Sequence, residues 1–109
     1  MNRLGRERRM HIRQRVRCPV SFVSFDKLRI GETIDLSVGG MKITCRAILL
    51  KGESYDFTLV MNGNAINPRG RVVRLETHPE FSYSAGVCFV QLPAGHLEKL
   101  SGFLSTEES

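Results

Sequence analysis

The sequence predicts a mainly β domain: a small closed barrel of about six antiparallel strands, one C-terminal helix and a flexible basic arm in front. Three observations carry this. Between Val16 and Gln91, apolar and polar residues alternate in successive short stretches, the period of half-buried strands. Turn and breaker residues punctuate those stretches, above all Asn62-Gly63-Asn64, a hairpin signal. From Pro93 the period changes, and Leu97, Leu100, Phe103 and Leu104 recur at helical spacing.

The elements follow in order. Val16, Cys18, Val20 and Phe22 share one face of a first strand, with Pro19 marking an edge or a bulge. A polar break at Asp26–Lys27 leads into a second run, Ile30–Leu36. Ser37-Val-Gly-Gly40 reads as a tight turn, with paired glycines supplying positive φ and close backbone approach. Met41, Ile43 and Cys45 share the next face, and Tyr55, Phe57, Leu59 and Met61 the one after. Ala65–Glu76 is a longer strand, bent or bulged at Pro68 and Gly70. Phe81, Tyr83, Ala85, Val87 and Phe89 line the last strand. Six strands with these turns are expected to close, because closure removes exposed edges. The helix must lay its apolar stripe on a barrel end or on a partner chain.

With 109 residues, the chain is one domain with one core. Hydrophobic residues are 41% and charged residues 25%, which excludes wholesale disorder. No apolar run approaches the roughly 18 residues of a membrane span, and the Arg-rich N-terminus lacks the apolar centre of a signal peptide. A cytoplasmic protein is expected. Cys18, Cys45 and Cys88 are odd in number and far apart, which predicts reduced, buried thiols.

The net charge of +5 is unevenly placed. Residues 1–17 carry seven Arg against the single acid Glu7, while the rest is close to neutral. The expected division is an arm over 1–14, the folded domain over 15–105 and a frayed polar tail over 106–109. Arginine offers a planar fork of donors suited to phosphates and guanine edges. Charge alone does not separate a nucleic acid, a nucleotide or a membrane surface from a merely solvated tail.

Metal and catalytic chemistry are not expected. His11, His78 and His96 are scattered without ligand spacing, and Ser37 lacks a GxSxG setting. The aromatics fall mostly on inward faces, which favours core packing over base stacking. Arg69, Arg71 and Arg74 read as a solvated face.

Two short motifs occur in order around the first strand. Arg9-Met-His-Ile-Arg13 is an RxxxR, and Asp35-Leu-Ser-Val-Gly-Gly40 is a DxSxxG. Together with Arg6-Glu-Arg-Arg9, the later Gly86-Val-Cys-Phe89 and the terminal helix, they give a sequence that resembles the PilZ domain family over nearly its whole length. Members of that family bind the bacterial second messenger cyclic di-GMP and have a six-stranded split-barrel fold. The resemblance implies that Arg9 and Arg13 clamp guanine and phosphate, with Arg8 assisting when two stacked nucleotides bind. Asp35 then accepts from guanine's donor edge or orients an arm arginine, and Ser37 offers its hydroxyl to a phosphate or a guanine amine. Gly39 and Gly40 give the ligand room at the backbone. The lead-in Gln14-Arg15-Val16-Arg17 is more basic than the family's usual apolar entry, and Arg17 is expected to face water. The function implied is a non-catalytic cyclic di-GMP effector that signals to a partner protein by ordering its arm. The rival readings are a small nucleic-acid-binding barrel and a ligand-independent adaptor.

Overall fold

The computed structural model describes residues 13–108, with side chains to residue 104. Its strands are β1 (Gln14–Arg15), β2 (Pro19–Ser24), β3 (Lys27–Ser37), β4 (Gly40–Cys45), β5 (Ser54–Asp56), β6 (Thr58–Met61), β7 (Asn64–Ile66), β8 (Arg69–His78) and β9 (Ser82–Gln91). One helix, α1 (His96–Glu108), follows.

All pairings are antiparallel, in the order β5-β8-β9-β4-β3-β2-β6-β7, with β1 added on β3. The fold is therefore mainly β with one C-terminal helix, but the expected six-stranded closed barrel is not what forms. The sheet is open, and nine strands are described. The difference has a local cause. The stretch 54–61 breaks at Phe57, where it leaves β8 and joins β2 and β7. The stretch 64–78 breaks at Asn67-Pro68, because proline has no N–H to give a ladder. Phe57 N–H instead donates to the Pro68 carbonyl at 2.9 Å, tying the two breaks together. The two-residue β1 completes the count.

The rolled sheet encloses the core. Phe22, Met41, Ile43 and Leu59 are fully buried, on the faces that alternation predicts, and Leu36 and Ile66 are fully buried beside them. Phe22 packs edge-on to Tyr55 at 5.9 Å and against Phe57 at 5.4 Å between ring centroids. The buried Thr33 hydroxyl donates to the Val16 carbonyl and accepts from Cys18 N–H, so it enters the core with both bonds made.

Three expectations need correction. Phe81 is 83% exposed, since it sits in the kinked turn Pro79–Phe81 and not on β9. Leu97 is exposed in the first turn of α1, whereas Leu100 and Leu104 seal the core. Cys18 and Cys45 are buried, but Cys88 is exposed. Arg17 is exposed, as expected, and pairs with Glu32 at 2.9 Å. Burial pushes the Cys45 thiol up from its ordinary value, and its Sγ donates to the Ala47 carbonyl.

The helix is fixed at both ends of its contact. The Asn67 N–H donates to His96 Nδ1 at 3.1 Å, and Gln14 Nε2 donates to the Leu104 carbonyl at 2.6 Å. The second bond links the start of the described chain to the end of the core.

Candidate functional site

Two β-bulges build the site. In β3 the pairing shifts between Thr33 and Asp35, leaving Ile34 as an extra residue. Without that shift, Asp35 would share the inward face of Thr33, two residues earlier. With it, Leu36 takes the core position and Asp35 turns outward. In β8 the pairing shifts between Val72 and Arg74, so Val72 stays in the core and Arg74 turns out. Both bulges re-aim a charged side chain towards the same outer face.

The register then lays a row across five strands. Arg15 of β1 lies opposite Asp35, Asp35 opposite Lys42, Lys42 opposite Gly86, and Gly86 opposite Arg74. The neighbouring row holds Thr44, Ser84 and Glu76. Arg13 reaches over from the end of the arm, and its Nη1 donates to Asp35 Oδ1 at 2.6 Å. The two motifs, 22 residues apart at these positions, thus meet in one ion pair.

A cavity of about 230 Å³ opens beside that pair. Arg13, Asp35, Met41, Lys42, Arg74, Glu76, Ser84 and Gly86 line it. That is below the roughly 300–1,000 Å³ that encloses a whole drug-sized ligand, so a dinucleotide would not be enclosed whole in it. Three cations and two carboxylates face it, which favours an anionic or mixed polar guest. Among the described residues, no His, Cys, Asp and Glu group has the make-up of a metal site.

The other motif residues sit differently. Ser37 is buried, and its hydroxyl accepts from Gly39 N–H at 3.2 Å while donating to the Gly40 carbonyl at 3.3 Å. Any bond from Ser37 to a ligand must compete with these two. The Gly39 carbonyl accepts from Phe89 N–H at 2.9 Å. A Cβ on Gly40 would lie 2.3 Å from the Val87 carbonyl oxygen, so this glycine admits β9, not open space. Neither Gly39 nor Gly40 takes positive φ, contrary to the conformational reading of the pair. Arg8 and Arg9 lie outside the described residues.

Lys42, Arg74, Glu76, Ser84 and Gly86 were not legible as site residues. Simple alternation turns Arg74 inward, and only the bulge beside Val73 brings it to the cavity. Ser84 is held by His78, whose Nε2 lies 2.7 Å from its hydroxyl.

The PilZ domain family model matches residues 7–105, nearly the whole chain. The chain belongs to the PilZ domain family. No curated protein sequence gives a significant match. Among solved structures, this PilZ domain is similar to MotI/DgrA, the Bacillus subtilis inhibitor of motility, with a TM-score of 0.78 at 14% identity. The match covers 90% of this chain and 50% of that one. It is similar to Escherichia coli YcgR in complex with cyclic di-GMP, with a TM-score of 0.77, 16% identity and coverage of 93% and 46%. The chain thus spans about half the length of these two proteins. The isolated PilZ domain of YcgR with cyclic di-GMP matches over 93% of this chain and 92% of its own, with a TM-score of 0.72 and 15% identity. At these identities the likeness establishes the PilZ fold. Among the described residues, no helix is long and apolar enough to cross a membrane.

Proposed function

We propose that this PilZ domain is a receptor for cyclic di-GMP and acts as a signalling module, not as a catalyst. The observation that carries the reading is the Arg13–Asp35 pair, which joins RxxxR to DxSxxG at the mouth of a cation-rich cavity. YcgR, which is solved with cyclic di-GMP, has the same fold.

The chemistry follows from the ligand's two phosphates and two guanines. Guanine O6 and N7 are adjacent acceptors that match an arginine fork, and phosphate oxygens take charge-assisted bonds from the same group. Arg9 and Arg13, with Arg8 in support, supply those forks from the arm. Arg13 is already held over the sheet by Asp35, so part of its ordering cost is met before the ligand arrives. Asp35 accepts from guanine N1–H and N2–H or keeps Arg13 aimed. Ser37, Gly39 and Gly40 contribute by holding the turn that carries Asp35's strand into β4.

The signal leaves through the base of the arm. Ligand binding draws the part of the arm ahead of Arg13 over the sheet, and Gln14 is bonded to the Leu104 carbonyl of α1. A partner protein then meets an altered surface formed by arm and helix.

Isothermal titration with cyclic di-GMP tests this, with GTP and a short single-stranded RNA as controls. The expected Kd is micromolar or tighter, about −8 kcal/mol. Arg13→Ala and Asp35→Ala should both lose the binding while keeping the fold, because an exposed ion pair adds at most about 1 kcal/mol to stability. Salt-sensitive binding to RNA without binding to cyclic di-GMP would replace the receptor by a nucleic-acid barrel.

A further inference from the structure

We infer that Arg74 and Glu76 on β8 form a second guanine-reading edge, facing the Arg13–Asp35 pair across the Gly86 floor. This rests on the receptor reading above and adds residues that lie outside both motifs.

Arg74 and Glu76 are two residues apart on one face of β8, about 7 Å along the strand. Both line the cavity that Arg13 and Asp35 line from the opposite side. Each side therefore presents one guanidinium and one carboxylate. The cyclic dinucleotide also carries two equivalent halves, each with one guanine and one phosphate.

Gly86 separates Lys42 from Arg74 in the cross-strand row and offers only backbone. A Cβ there would lie 3.3 Å from Arg74 Cβ, so even one methyl group would narrow the slot. A flat purine can lie on this floor, with Lys42 beside it for the bridging phosphate.

Arg13 and Asp35 are bonded to each other, and Arg69 is bonded to Asp56. Among the described residues, Arg74, Glu76 and Lys42 form no ion pair or side-chain hydrogen bond. Their donors and acceptors face the cavity unspent. A carboxylate is an acceptor only. It matches the N1–H and N2–H donors of guanine and opposes the N1 lone pair of adenine. Arg74 can fork to O6 and N7 of the same base.

The test compares two ligands on the full chain: cyclic di-GMP and the hybrid cyclic GMP-AMP with the same two 3′,5′ linkages. A single guanine reader at Asp35 would accept both about equally, since the hybrid still offers one guanine. With a second reader, the wild-type protein should prefer cyclic di-GMP by about tenfold to a hundredfold, the range of one lost hydrogen bond to a charged group. Glu76→Gln should weaken cyclic di-GMP towards the affinity of the hybrid while leaving the hybrid nearly unchanged. Arg74→Ala should weaken cyclic di-GMP by a similar factor. Both residues are exposed, and an unchanged melting temperature confirms the fold. The inference is overturned, with the receptor reading intact, if the wild type binds both ligands equally or Glu76→Gln keeps the preference. Absence of cyclic di-GMP binding in the wild type, with Arg13→Ala no different, overturns the receptor reading itself.

Discussion

Two hairpin turns of this domain both contain glycine, and they use it for opposite reasons. The turn between β6 and β7 places Asn62 at φ 49° and Gly63 at φ 79°, the left-handed pair of a two-residue hairpin loop. It is exposed, and a Cβ on Gly63 would meet nothing within 4 Å. Here the glycine supplies conformation. The turn between β3 and β4 has no positive φ at Gly39 or Gly40, yet Gly40 is buried with the Val87 carbonyl against it. Here the glycine supplies space. The same residue type therefore marks a chain reversal in one place and a strand contact in the other. Only the second belongs to the motif that carries Asp35.

The largest expected effect breaks the spatial case. Gly40→Ala sets a methyl group 2.3 Å from a backbone oxygen that cannot rotate away. Either β4 separates from β9 or the turn reopens, so the loss should be about 3 kcal/mol, at the upper end for overpacking. That corresponds to a fall in melting temperature of more than about 12 °C for a domain of this size. Gly40→Asn should be at least as damaging, because a left-handed preference does not create room. A wild-type melting curve for Gly40→Ala would refute the spatial account.

A smaller effect sharpens the conformational case. Gly63→Ala should cost about 1 kcal/mol, the penalty of a side chain in the left-handed region. Gly63→Asn should recover most of it, since asparagine tolerates that region. Urea midpoints of the two variants measure the difference. Equal losses from both would mean that Gly63 is needed for something other than its φ.

How far the sequence could be read depends on the same distinction. Core faces were legible wherever a strand kept its period: Cys18, Val20 and Phe22 are buried, as are Met41, Ile43 and Cys45. Asn62-Gly63 was legible because its chemistry is local. The open sheet was not, because Phe57 changes partners between β5 and β6 without breaking the run of alternation. The site was half legible. Arg13 and Asp35 belong to motifs, and the structure brings them together. Arg74 and Glu76 belong to no motif, and a bulge at Val73 places them. Bulges are set by strand pairing, so a period count along one chain segment cannot locate them.

The smallest expected effect lies in the turn between β2 and β3. Ser24 pairs with Lys27, so Phe25 and Asp26 form another two-residue loop, at φ 54° and 63°. Neither residue is glycine or asparagine, which is why the sequence reads only as a polar break. Both side chains are exposed, and the left-handed backbone is held by the flanking pairs rather than favoured by its residues. Asp26→Gly removes the steric cost at one position, worth about 1 kcal/mol. It also gives the unfolded chain more freedom, which returns about half of that. The net expectation is a gain of about 0.5 kcal/mol, read as a higher urea midpoint at an unchanged slope. The loop lies on the far end of the β2–β3 ribbon from Asp35, so ligand affinity should stay as it was. A loss of stability in Asp26→Gly would show that the aspartate favours this turn through a contact of its own, and that the loop, like Gly40, is held by its surroundings and not by its φ.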